Sequence, residues 1–415
     1  MNRTFIVVLL WVSLVISGFS QNVSYPDFEI VESVPIETNL DNPDIRNAHE
    51  VWLEMINGAK TSLDIEEFYI SPQEGEPLDD ILDAINAANK RGIKVRLLID
   101  ARMYKTYPEV VDNFKREELK MNNLPKVQAR VIDFGKLAGG VQHAKYFIVD
   151  NEQVFLGSQN FDWRALKHIH ELGVRIKNNI IVSFYANIFE LDWNLSKQND
   201  PAEIQNYLRP MSYAVPFRVI EAKDDTLTLF PTASPESLIA DTALWDETNI
   251  VELIDGAKYE VMCQFLSYSP SSRDKSMYTI LDDALRRAAK RGVKVKMIVS
   301  DWGKATEAEK YLKDLSQVPN IEVKFSDIPE WSGGYVSFAR VEHCKYLVID
   351  SAKCWLGTAN WEKSYFYYTR NVGIVAWNKK ITNILRNIFL KSWNGPYTEL
   401  IKPEIEYKAR RHEEK

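Results

Sequence analysis

Apolar and polar positions along this chain follow two periods in turn, one of 3.6 residues and one of 2. Over 45–59 the 3.6-residue period puts Ala48, Trp52, Met55 and Ile56 on one side, which predicts an amphipathic helix. Residues 62–70 then alternate as a strand does. A helix is predicted over 78–91, with Gly92 as its C-terminal cap, and 94–99 return as a strand ending at Asp100. With a first strand expected over 29–35, these segments make a β-α-β unit. The polar stretch 101–123 is expected to be helical, 127–133, 146–149, 154–157 and 172–177 to be strands, and 180–194 to be an apolar helix.

The same order then returns. Asn57-Gly58-Ala59-Lys60 is answered by Asp255-Gly256-Ala257-Lys258, and Asn89-Lys90-Arg91-Gly92 by Ala289-Lys290-Arg291-Gly292, at offsets of 198 and 200 residues. An internal duplication is the economical reading. Two copies are too few for a solenoid, so the expectation is α/β: paired α/β domains whose mixed or parallel sheets are covered on both faces. The expected domains span 24–200 and 226–400, joined by a connection over 201–225 that holds Pro201, Pro210 and Pro216, with a charged tail over 401–415. Residues 1–21 carry Arg3, an apolar run and a small-residue end, the pattern of a secretory signal, so an exported protein is expected. That run is shorter than the roughly 20 residues a membrane-spanning helix needs.

Composition narrows the partners. The 415-residue chain is 45% hydrophobic and can bury a large core. Its formal charge of −7 argues against a surface that coats polyanions, so any nucleic-acid contact requires a local basic groove. Lys145, Lys345, Arg164 and Arg340 are the candidates. The three cysteines allow one disulfide at most, and Cys344, alternating away from its neighbours, reads as a buried thiol. His168 and His170, alternating in KHIHEL, read as a solvated edge.

The chemistry lies in a stretch that occurs twice, VQHAKYFIVDNEQVFLGSQN over 141–160 and VEHCKYLVIDSAKCWLGTAN over 341–360. Both read H-x-K-x4-D-x6-G-[ST]-x-N. Alternation puts His143 with Lys145, and His343 with Lys345, on one face of a strand. A turn after the second short strand brings Ser158 and Asn160, or Thr358 and Asn360, nearby. One such motif would pass for an ordinary strand histidine. Two copies with one internal spacing, using two of six histidines, mark two halves of one polar cluster.

This pair of motifs resembles the phospholipase D superfamily, and the flanks GSQNFDWRAL, HELGV, KRGVKVKMIVSDWG and GTANWEKSYF are similar to its lysosomal 5′-exonuclease branch. The resemblance implies two α/β sandwich domains packed with pseudo-twofold symmetry around one active site, with His143 and His343 across a single cleft.

A phosphodiester needs its charge neutralised and its leaving oxygen protonated. Lys145 and Lys345 can hold the non-bridging oxygens, while Ser158, Asn160, Thr358 and Asn360 donate further hydrogen bonds to substrate. One imidazole can attack phosphorus and the other can protonate the leaving group, by way of a phosphohistidine. Asp150 and Asp350, at strand ends, are expected to satisfy local backbone donors. Twenty-eight residues beyond each motif histidine stand Glu171 and Asn371. A carboxylate can orient an imidazole, so Glu171 is expected to serve His143 as nucleophile, leaving His343 as acid, then base. Trp163, Arg164, Trp361 and Tyr365 could line the channel, and Tyr278, Trp302 and Trp331 its mouth. No metal or cofactor is expected: the cysteines are scattered, no H-E-x-x-H or EF-hand loop occurs, and the lysines beside the key histidines repel cations. The substrate is then single-stranded nucleic acid, shortened from its 5′ end as the resemblance implies, or phospholipid, with phospholipase D or transphosphatidylase activity.

Overall fold

The computed structural model describes residues 27–120, 127–213, 217–222, 225–272, 275–408 and 410; the expected signal segment over 1–21 lies outside them. Each half builds one mixed sheet. The first has eight strands, in the order Arg46–Asn47, Phe28–Ser33, Glu171–Ile176, Gln153–Gly157, Tyr146–Val149, Ser62–Glu67, Lys94–Asp100, Gln128–Ile132. The second has nine, and its core, Asp225–Ser234, Asn371–Trp377, Lys353–Gly357, Tyr346–Ile349, Glu260–Phe265, Lys294–Ser300, Ile321–Ser326, repeats that order. Ser62–Glu67 runs parallel to Lys94–Asp100 but antiparallel to Tyr146–Val149, and Glu260–Phe265 does the same in its sheet.

The central strands are buried on both faces because helices cover both. In the first half Phe147 and Val149 pack with Trp52 and Leu78, whereas Tyr146 and Ile148 point to the opposite face and join Tyr185 and Phe189 of the helix Asn179–Leu195. That second cluster continues without a break into the other half. The helix Ala48–Asn57 shows why the period was legible: Asn47 caps it, accepting from the His49 N–H, and its buried stripe is Ala48, Val51, Trp52, Met55 and Ile56. The expected helix over 101–123 is instead two, Ala101–Tyr104 and Pro108–Lys120, since Pro108 lacks the N–H that continuation needs. Phe217–Ala222, inside the expected connection, pairs into the second sheet. In the charged tail Ile401 and Tyr407 are buried, Tyr407 with its ring 5.0 Å from Phe325. No helix among the described residues is long and apolar enough to cross a membrane.

The halves are stitched by backbone pairings that are images of one another: Gln142 bridges Arg370, and Glu342 bridges His170. Two buried ion pairs reinforce the seam. Arg370 holds Asp192 at 2.7 and 2.8 Å, and His170 Nδ1 lies 2.7 Å from Glu342 Oε2.

Candidate active site

Both motif histidines sit where a central strand meets the seam. The His143 N–H donates to the Arg370 carbonyl at 3.0 Å, and the His343 N–H to the His170 carbonyl at 2.9 Å, so each motif is clamped to the opposite half. Behind them the motif glycines face glycines, Gly157 with Gly173 and Gly357 with Gly373. A Cβ on Gly157 would meet the backbone of the facing strand, Gly173 Cα at 2.6 Å and the Leu172 carbonyl oxygen at 2.9 Å, which leaves no room for a side chain there. The aspartates cap the turn behind. Asp150 accepts from the N–H groups of Lys60, Thr61 and Ser62, and Asp350 from those of Lys258, Tyr259 and Glu260. Both have positive φ, a conformation in which Asp is among the few comfortable residues.

The lysines are fully buried. Lys145 Nζ donates to the His143 carbonyl at 2.6 Å and Lys345 Nζ to the His343 carbonyl at 2.7 Å, each leaving N–H groups for other acceptors. Burial and the neighbouring Lys345 ammonium push Lys145 well down, and burial pushes Lys345 to about 8 against the pull of Glu171. Burial, followed by the two ammonium groups, drives both histidines well below the ordinary range. The site is therefore a buried hole holding two ammonium groups, and a phosphodiester anion placed in it would offset their mutual repulsion, the second cause of these shifts after burial.

The partners of the imidazoles cross over. Asn371 Oδ1 lies 3.0 Å from His143 Nδ1, while Glu171 Oε2 lies 3.1 Å from His343 Nδ1. The expected pairing of Glu171 with His143 is thus corrected. Glu171 and Asn371 open strands that start at the seam, and the side chain at that point reaches the histidine of the other half. Asn371 Nδ2 donates to the Tyr365 carbonyl, which turns its oxygen to His143 and leaves the proton on Nδ1. Glu171 and His343 are in close contact but not aligned as a hydrogen bond. Burial raises Glu171 well above the carboxylate range, opposed by Lys345, the Ser158 hydroxyl and Lys145.

The Ser158 and Thr358 hydroxyls make their hydrogen bonds within their own halves. The Thr358 hydroxyl donates to Asn371 Oδ1 at 2.9 Å and accepts from the Val372 N–H at 3.1 Å; the Ser158 hydroxyl accepts from the Leu172 N–H at 3.1 Å. The Thr358 hydroxyl thus holds Asn371, the partner of His143, and the Ser158 hydroxyl holds the backbone beside Glu171. Asn160 and Asn360 are buried at the site, and Asn360 opens onto a cleft of about 330 Å³ with Trp302, Glu362 and Tyr365. Phe68 and Tyr365 flank His143, each ring 5.0 Å away.

A family model described as "Cardiolipin synthase, PLD-like domain" matches residues 52–193 and 250–393, one match to each half. The chain belongs to the phospholipase D family. It is 30% identical over 379 residues to Phospholipase D Z of Dictyostelium discoideum, covering 86% of each chain. It is also 30% identical over 381 residues to the 5'-3' exonuclease PLD3 of Xenopus laevis, covering 84% of this chain and 74% of that one. Its fold is similar to phosphatidylserine synthase of Haemophilus influenzae, with a TM-score of 0.61, 14% identity, and coverage of 86% of this chain and 85% of that one.

In this phospholipase D fold the other candidates have their own partners. His168 and His170 are fully buried rather than solvated, because their strand edge is the seam itself; His170 pairs with Glu342 and His168 packs against Trp331. Arg164 is held by Asp162, and Arg340 is buried and donates to the carbonyls of Ile36 and Pro329, so neither presents a free charge on a basic surface groove. Trp361 and Tyr278 are core residues, whereas Trp163 and Arg164 line a surface cleft. Cys263, Cys344 and Cys354 are all buried thiols. Among the described residues one group of metal-ligating side chains lies close together, His170, Glu342 and Cys344, and its histidine and carboxylate already form the seam pair. Two residues beside the site were missed from sequence. Glu67 is buried close enough for the Lys145 charge to oppose its raised pKa, and Phe68 lies beneath the Lys145 ammonium at 5.2 Å. Their signal was position, at the end of the strand next to the motif strand.

Proposed function

We propose that the protein is a metal-independent phosphodiesterase acting through a phosphohistidine on His343, and that it shortens single-stranded nucleic acid from its 5′ end. The observation that carries the mechanism is the crossed pairing, in which one histidine faces a carboxylate and the other an amide. Neutral His343 attacks phosphorus through Nε2, and the bond from phosphorus to the leaving oxygen breaks. His143, protonated once substrate is bound, gives its proton to that oxygen. It then takes a proton from water as the water oxygen attacks phosphorus and the phosphorus–nitrogen bond breaks. Glu171 balances the positive charge that His343 carries in the intermediate. Lys145 and Lys345 neutralise the non-bridging oxygens, a task that would otherwise call for a metal ion.

The nucleic-acid reading is supported by similarity to the Xenopus exonuclease and by the aromatic residues beside His143. The matching similarity to Phospholipase D Z favours, as a second reading, a phospholipase passing the same intermediate to water or an alcohol. Export is proposed from the pattern of residues 1–21. The test is incubation with EDTA present of linear single-stranded DNA, circular single-stranded DNA and phosphatidylglycerol vesicles. Only the linear strand should be degraded. Rapid cutting of circles would indicate an endonuclease, release of the lipid headgroup a phospholipase, and activity that returns only with a divalent ion would end the metal-independent mechanism.

A further inference from the structure

The two halves are not equal where substrate enters. Between the end of the edge strand and the motif, residues 327–341 of the second half are six longer than their counterparts 133–141 in the first. The extra length does not trail into solvent. It crosses to the first half, where Ser332 donates to Glu37 through its N–H and hydroxyl at 2.7 and 2.6 Å, Trp331 packs 5.0 Å from the His168 ring, and Arg164 donates to the Ser337 carbonyl at 3.3 Å.

Pinned in this way, the segment walls a cleft of about 650 Å³ against the first half, lined by Gln73, Tyr107, Trp163, Arg164, Tyr335 and Phe338 among others. Two rings, Tyr69 and Phe68, connect Tyr107 on the wall of the cleft to His143. Tyr107 stacks on Tyr69 at 5.4 Å, Tyr69 is 5.6 Å from Phe68, and Phe68 is 5.0 Å from His143. Phe338 stands at its rim, 40% exposed, with the Arg164 guanidinium 6.0 Å from its ring and Trp302, a wall of the other cleft, 6.3 Å away. Its φ is +59°, a conformation strained for a bulky residue, so the anchored segment presents this ring to solvent against the local backbone preference.

We propose that this cleft receives a nucleobase of the single strand, stacked on Phe338, and so selects base-bearing phosphodiesters over lipids; the proposal rests on the nuclease reading above. The lining chemistry favours a base. An acyl chain needs a continuous apolar wall, which Ser71, Gln73, Arg164 and Ser337 interrupt here, whereas a base offers a ring face together with polar edges. Nor does the cleft serve to grip phosphates, since the Arg164 charge is already held by Asp162 at 2.7 Å.

Glycine adopts positive φ without strain, so Phe338→Gly removes the ring while leaving the backbone comfortable, and Phe338→Asn, also tolerant there, is the second variant if glycine loosens the segment. Compared with bis(p-nitrophenyl) phosphate, which has no base, kcat/KM on a single-stranded oligonucleotide should fall about 10-fold in either variant. In the wild type, an abasic site scanned along the oligonucleotide should cause a similar loss at one position, and at that position it should cost the variant nothing more. An unchanged ratio, or an abasic penalty as large in the variant as in the wild type at every position, overturns the subsite alone. A loss seen on phosphatidylglycerol vesicles instead would make the ring a lipid contact and overturn it as well. Wild-type protein that hydrolyses the chromogenic ester but no oligonucleotide overturns the nuclease reading and the subsite together.

Discussion

At the scale of single residues, the crossed partners assign the chemistry. A p-nitrophenyl phosphodiester has so acidic a leaving group that it needs little protonation. His143→Ala should therefore still form a covalent adduct, mapped to His343, while His343→Ala forms none; an adduct on His143 would reverse the roles. Glu171→Gln removes the charge that balances the intermediate and should slow adduct formation on the order of 100-fold, with little change in KM. The two buried lysines, both lowered by burial, set a pH limit of one sign, and Lys345 gives its upper bound. Burial lowers the Lys345 pKa to about 8 in the free enzyme, so its charge is present below that value and lost above it. The ratio kcat/KM should fall as pH rises through about 8. A bound phosphate anion holds the proton on, so the fall in kcat should come at higher pH. A kcat/KM flat to pH 9.5 would show that Lys345 stays charged without substrate.

At the scale of elements, the H-x-K-x4-D motif is both a site and a fastening. Its aspartate lies at the far end of the strand from the histidine and ties the turn after Tyr146–Val149 to the start of Ser62–Glu67. Asp150→Ala leaves three N–H groups without their charged acceptor, partly compensated by water because the turn is half exposed. It should cost about 2 kcal/mol in urea unfolding while kcat stays within a few-fold of wild type. A variant of normal stability that had lost activity would place Asp150 in the chemistry instead. The spacing of the motif follows from this double duty: four residues of strand separate the ammonium at the seam from the carboxylate at the far turn.

At the scale of the whole molecule, catalysis depends on the seam, since each histidine is oriented by the other half. The Arg370–Asp192 pair lies wholly inside it. Asp192→Asn leaves the guanidinium buried against a neutral partner and should cost about 3–5 kcal/mol, read as a fall in the unfolding midpoint. A change below about 1 kcal/mol would show that the halves are held together without it.

The periods of the hydrophobic pattern, the repeat and the two motifs are local properties, and they determined the α/β class, the paired domains and the identity of the histidines and lysines. Alternation along a strand says which side chains share a face, and that is why His143 with Lys145, and Asp150 as a turn residue, could be read directly. It does not say what lies opposite. Glu171 stands 28 residues from His143 in sequence yet meets His343, because two sheets related by pseudo-twofold symmetry meet at the ends of their central strands and exchange side chains there. The same closure buried His168 and His170, whose alternation suits a solvated edge as well as a seam, and it joined Arg164 and Arg340 to partners invisible in composition. Distances through space between segments far apart in the chain are set by packing, and packing alone decided them.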